Sequence, residues 1–234
     1  MFRYLLADGD LTSYVIQFLL SLPIFLLALS LHETAHGYVA YRLGDPTARS
    51  MGRLTLNPLK HLDPIGFLCM VFFGFGWANP VPVNARYFKK PRRDMALSSV
   101  AGPISNILLA ALFTLLLKLS HTGFYYLHVN SGFWATMLDF WFIFLILGVK
   151  LNAMLAVFNL LPIPPLDGSR ILFFFLPQNL AYKLSRYERV ITIVLLVALA
   201  LGVLTPVINF LSDLIVKLLF TAGLLKDTIF WYFI

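Results

Sequence analysis

Residues Tyr14 to Tyr41 read YVIQFLLSLPIFLLALSLHETAHGYVAY. A helix needs about 20 apolar residues to cross the hydrocarbon of a bilayer, and this run exceeds that length. It stops at Gly44-Asp45-Pro46, a strong helix terminator. Pro23 predicts a kink, which neighbouring helices can accommodate by re-satisfying the freed backbone groups. Near the end of the run stands a polar cluster, His32-Glu33-Thr34-Ala35-His36. Ionisable groups embedded in apolar sequence are costly in a membrane and by default mark a functional site.

The rest of the chain agrees with the bilayer as solvent. Of its 234 residues 59% are hydrophobic and 12% charged, a balance that soluble domains rarely approach. The net charge of +7 is concentrated in a few stretches, which points to membrane topology and away from nucleic acid. Cys69 is the sole cysteine, so no intrachain disulfide forms. Met1 to Asp10 lacks a basic n-region and a clear cleavage site, so the first apolar run is expected to be retained.

Further apolar runs follow. Ile65 to Gly76 is too short to cross as a helix and is expected to form a re-entrant or interfacial hairpin. Trp77 to Asn84 follows it in extended form, because alternate prolines forbid a helix and suit only an edge strand or irregular backbone. A second span is expected from about Met95 to Leu119, entered through Ala101-Gly102-Pro103-Ile104-Ser105-Asn106, and a third from about Phe133 to Leu161. Pro162-Ile163-Pro164-Pro165-Leu166-Asp167-Gly168 breaks the third. Val190 to Leu204 and Val207 to Leu219, separated by Thr205-Pro206, make either a hairpin of two helices or one broken helix.

The expected fold is an all-α integral membrane protein, a bundle of about four to five transmembrane helices with a re-entrant or extended segment between spans one and two. Residues 1–234 read as a single membrane-embedded domain, its core at about 14–176 and its C-terminal helices at about 187–225. Nine lysines and arginines lie between spans one and two, and four more between Arg170 and Arg189. The N-terminal tail has only Arg3. The positive-inside rule therefore puts these basic segments in the cytoplasm, the N-terminus outside and His32 and His36 toward the cytoplasmic side.

Two imidazoles four residues apart on a helix share one face and can reach one metal ion. Glu33, a quarter-turn aside, can contact a water there without being a ligand. This His-Glu-x-x-His spacing is that of zinc hydrolases in which the glutamate is the general base. The chain has five histidines and two glutamates. At those frequencies the pattern arises by chance in roughly one such chain in a thousand. A catalytic zinc usually takes three protein ligands. Asp139 falls near the outer end of span three, and Glu188, Asp45 and Asp94 lie in basic segments that suit solvated charges. Asp63 sits at an interface turn with little to recommend it. Asp167 follows span three on the cytoplasmic side, in a proline-stiffened break, and is the candidate that elimination leaves.

Three ordered motifs now carry a resemblance: His32-Glu33-Thr34-Ala35-His36, Ala101 to Asn106, and Asn159 to Gly168. Together they resemble the site-2 protease family of intramembrane zinc proteases, over about Ser30 to Ile171. The stretch from Gly76-Trp77 to Asn84 is similar to the compact branch of that family, without a PDZ-like or CBS-like insertion. The resemblance implies one zinc ion held by His32, His36 and Asp167, Glu33 as catalytic base, and Asn159 holding the substrate carbonyl or oxyanion. It implies a membrane-protein substrate with a transmembrane helix, met within the lipid bilayer of the cell membrane.

Asn159 could instead make an interhelical hydrogen bond. Asn152, on nearly the same face, is better read as packing, and Asn106 is open between packing and support of the site. Lys150, inside span three, suits snorkelling or a structural contact. Two other classes compete with a protease: a scaffold in which zinc ties spans one and three together, and a metal transporter. Glu33 speaks against the scaffold, which needs no base beside its ligands. A transporter should place polar groups at several depths. Oligomeric state, substrate identity and pathway have no signature in the sequence.

Overall fold

The computed structural model describes residues 11–73, 76–127 and 132–221, and these form an all-helical bundle. The expectations for the N-terminal tail, for residues 74–75 of the hairpin and for the end of the C-terminal helices beyond 221 lie outside the described residues. Helices α1 (Leu11–Arg42), α4 (Pro91–Leu127) and α5 (Phe133–Leu160) are the three long ones. Between the first two lie α2 (Thr47–Ser50) and α3 (Pro64–Phe73), and after α5 come α6 (Asp167–Phe175) and α7 (Gln178–Arg186). The described chain closes with α8 (Glu188–Ala200) and α9 (Thr205–Thr221). Among the described residues three helices are long and apolar enough to cross a membrane, and α8 with α9, bent by 81° at their junction, make a fourth if counted as one broken span. The protein is thus a multi-pass membrane protein, and its sharply bent C-terminal pair has the geometry of a broken span or a re-entrant loop.

Helix α4 is central and packs against α1, α5 and α6. Ile24 and Ala28 of α1, Leu109, Phe113 and Leu117 of α4, Leu145 and Val149 of α5 and Phe220 of α9 form the core. Small residues at these contacts let the backbones approach, the usual driver of helix association where lipid is as apolar as leucine. Ala28, Ala110, Ala153 and Ala156 are all fully buried. Helix α4 starts with Pro91 at its first position, where the missing N–H costs nothing. Asp94 accepts the Lys90 N–H at 2.9 Å and pairs with Arg93, which fixes that end.

Two expectations are corrected here. Asp45 and Asp94 are not solvated charges; both are buried. Each is satisfied locally: Asp45 accepts from Thr47 N and Oγ1 and from Asn84 N, and Asp94 from Lys90 N and Arg93. A carboxylate with several donors tolerates burial. Lys150 lies on an exposed face of α5, which leaves snorkelling and removes the buried contact.

The short apolar run forms α3 and the chain then doubles back, since Leu62 and Ala78 make an isolated antiparallel bridge. Asn79 N–H donates to the His61 carbonyl at 2.8 Å, and Arg53 Nη2 donates to the carbonyls of Asn79 and Pro80. The extended segment is therefore pinned along its length. At its far end Asn84 N–H bonds the buried Asp45 at 2.6 Å.

Candidate metal centre

His32, Glu33 and His36 are buried on one stretch of α1. Asp167 is the first residue of α6, and the turn before it brings its carboxylate to the two imidazoles. His32 Nε2 and His36 Nε2 lie 3.0 Å apart, and Asp167 Oδ2 is 3.1 Å from each. Zinc bonds to nitrogen and oxygen are about 2.0–2.2 Å, so tetrahedral ligand atoms sit about 3.3 Å apart. The three atoms stand within a few tenths of an ångström of that spacing, and His32, His36 and Asp167 are the metal-capable trio of the described residues.

Each imidazole is oriented through its other nitrogen. His36 Nδ1 donates to the Ser98 carbonyl at 2.7 Å, and Ser98 Oγ returns a bond to the His36 carbonyl at 3.1 Å. His32 Nδ1 pairs with Asn106 Oδ1 at 2.6 Å. With both Nδ1 atoms engaged as donors, both Nε2 lone pairs face the same point. Metal-binding histidines characteristically have such outer partners.

Helix α4 supplies the wall of the site. A Cβ on Gly102 would lie 2.4 Å from His36 Nε2 and 2.6 Å from His32 Cε1, so only glycine allows α4 to lie across both rings. Gly102→Ala is expected to displace at least one imidazole and to lower zinc occupancy of the purified protein; metal analysis beside a thermal melt separates that loss from unfolding.

Glu33 does not point at this trio's hydrogen-bond network. Its Oε2 accepts the Val81 N–H at 2.7 Å, which joins the glutamate of the motif to the extended segment. Asn159 is half-buried near the end of α5, and its Nδ2 donates to the Leu155 carbonyl at 3.0 Å. None of its hydrogen bonds among the described residues reaches His32, Glu33, His36 or Asp167. The contacts that sequence reading missed are the Ser98 carbonyl and the Val81 N–H, both main-chain groups. Ser98, Gly102 and Asn106, spaced by four on α4, are a small and polar stripe that could have signalled the Ser98 and Asn106 contacts.

Comparison with known proteins shows the family. The sequence profile of Peptidase family M50 matches residues 20–205. Over 197 residues the chain is 46% identical to "Putative zinc metalloprotease YwhC" of Bacillus subtilis (strain 168), covering 82% of this chain and 87% of that protein. Rip2 of Mycolicibacterium smegmatis, given the same description, is 34% identical over 164 residues. That match covers 67% of this chain but 57% of Rip2. MJ0611 of Methanocaldococcus jannaschii, again so described, is 28% identical over 170 residues and is covered to 81%. No solved structure matches. Fold, site and matches together define a multi-pass membrane metalloprotease that uses zinc. The chain belongs to peptidase family M50, the site-2 protease family, and is a zinc-dependent metalloendopeptidase.

Proposed function

We propose that the protein hydrolyses peptide bonds in or beside the transmembrane segments of other membrane proteins, at a site toward the cytoplasmic face. The observation that carries this reading is the convergence of Asp167 with His32 and His36, beside Glu33, the two histidines standing on a helix long and apolar enough to lie in a bilayer. His32 Nε2, His36 Nε2 and Asp167 would hold the zinc, which supplies Lewis-acid polarisation of a carbonyl and makes water acidic enough to react near neutral pH.

Glu33 takes the proton of the attacking water and passes it to the leaving amine. The Val81 N–H holds one oxygen of its carboxylate, leaving the other for that proton. Asn159 donates to the developing oxyanion after its amide turns from the Leu155 carbonyl, a contribution of the kind worth about 3 kcal/mol. Burial of the site excludes competing water. The basic segments around Arg86 to Arg93 and Lys183 to Arg189 favour the cytoplasmic side, with the N-terminus outside.

A helical substrate hides its scissile amide, so cleavage needs local unwinding. The extended Pro80 to Asn84 segment offers main-chain groups against which an unwound strand can pair. Pro80 and Pro82 have no N–H, and the Val81 and Asn84 N–H groups are taken by Glu33 and Asp45, so Val83 supplies the N–H of this segment that has no partner among the described residues. Val83→Pro is expected to reduce cleavage strongly with zinc content unchanged; full activity would exclude pairing through Val83.

The direct test of the function is a panel of single-span proteins reconstituted with the enzyme in lipid vesicles. Cleavage that stops on chelation and returns with zinc supports the reading. A protein that binds zinc stoichiometrically yet cleaves none of them would favour the zinc-tied scaffold.

A further inference from the structure

Asn106 and Asn152 are almost fully buried, at 1% and 0% exposure, one on α4 and one on α5. Neither is used by the chemistry above, and two buried amides inside a membrane bundle carry a desolvation cost that demands partners. Their hydrogen bonds form one line. Asn152 Nδ2 donates to the Gly148 carbonyl at 2.8 Å. Its Oδ1 is therefore the acceptor, and Asn106 Nδ2 donates to it at 3.2 Å, with a longer contact to the Ala28 carbonyl at 3.5 Å. That leaves Asn106 Oδ1 as the acceptor facing His32 Nδ1 at 2.6 Å.

The direction of this line is dictated from its far end. A main-chain carbonyl cannot donate, so the Gly148 oxygen fixes which end of Asn152 points toward Asn106. That choice fixes the Asn106 amide in turn, and the Asn106 oxygen can bond His32 only if Nδ1 carries the proton. Nε2 is then a lone pair, aimed at Asp167 and His36. Close approach of α4 and α5 is what allows the line to form. A Cβ on Gly148 would lie 2.5 Å from the Phe113 ring, so glycine at this position of α5 leaves the room that the ring on α4 fills.

We infer that Asn106 and Asn152 are positioning residues for the metal centre, a relay running from the Gly148 carbonyl to His32 that sets its tautomer and ring orientation. The inference rests on the reading of His32 as a metal ligand. It assigns the two asparagines different distances from the metal: Asn106 touches the ligand, and Asn152 acts only through Asn106. His36 is held separately, by the Ser98 carbonyl, and should not respond to either.

The test uses the full chain in detergent, apo or loaded with cobalt(II) or zinc. The cobalt protein is expected to give two hyperfine-shifted, exchangeable imidazole N–H resonances, from His32 and His36. In Asn106→Leu one resonance should vanish by rapid exchange with water while the other persists. Zinc affinity, by competition with a chromophoric chelator, should fall about 10–100-fold, as for loss of other outer partners of metal-binding histidines. Asn106→Asp restores an acceptor and should recover most of the affinity. Asn152→Ala should give a smaller loss of affinity and faster exchange of the same single resonance. If Asn106→Leu does not fold, the Asn152→Ala and Asn106→Asp measurements decide. Both resonances and zinc affinity unchanged in the asparagine variants would overturn the relay. A wild-type protein that binds zinc but shows no such resonances would overturn the histidine ligands themselves, and the relay with them.

Discussion

Glu33→Gln is expected to lower peptide hydrolysis by a factor of about a hundred to ten thousand while zinc stays bound. Glutamine keeps the length of the side chain and a carbonyl oxygen that can still accept the Val81 N–H now held at 2.7 Å. The pinned extended segment should therefore stay in place. What glutamine lacks is the basicity to remove a proton from water. The imidazoles keep their own partners, Asn106 for His32 and the Ser98 carbonyl for His36, so the metal-capable trio is untouched. Single-turnover cleavage of a membrane peptide, read beside metal content, checks both halves of the expectation. Wild-type turnover in this variant would place the base elsewhere.

Asp167→Ala should act on the metal and not on the fold. The carboxylate is the sole anion of the trio, and its removal leaves two neutral imidazoles 3.0 Å apart. Losing a direct ligand should cost more than losing an outer partner, so zinc affinity is expected to fall by at least about a hundredfold. The start of α6 has no side-chain cap for alanine to disturb, and alanine is a good helix former. Its other end is tied independently, because Arg92 Nη2 donates to the carbonyls of Phe173, Phe174 and Leu176. Chelator competition and a thermal melt separate the two effects. Wild-type zinc affinity would remove Asp167 from the ligand set.

Much of this architecture was legible in the order of residues. The three long spans were, because apolar runs that exceed the hydrocarbon thickness have few other solutions. The C-terminal pair was not, because Thr205-Pro206 interrupts two runs each short of a span, and composition does not say whether a broken helix bends. Across that break the two helices bend by 81°, and α9 packs on α5. The convergence of the metal-capable trio was legible for two reasons: the histidine spacing is local, and few acids were available. Asn152 looked like a packing residue and Asn106 stayed open between packing and support of the site, since a lone amide in a span reads the same whether it meets a helix or a ligand. Asp45 and Asp94 misled for the opposite reason. They sit among basic residues in sequence, but their partners are mostly backbone N–H groups, which no side-chain pattern reveals.

The location of the cleaved bond tests the account most directly. A single-span substrate is reconstituted with the zinc-loaded enzyme in vesicles and both product fragments are sized by mass spectrometry. A cut within or bordering the transmembrane segment, in its cytoplasmic half and absent with chelator and with Glu33→Gln, is the expected result. Cuts confined to extramembrane loops, or equal cutting by wild type and Glu33→Gln, would contradict it.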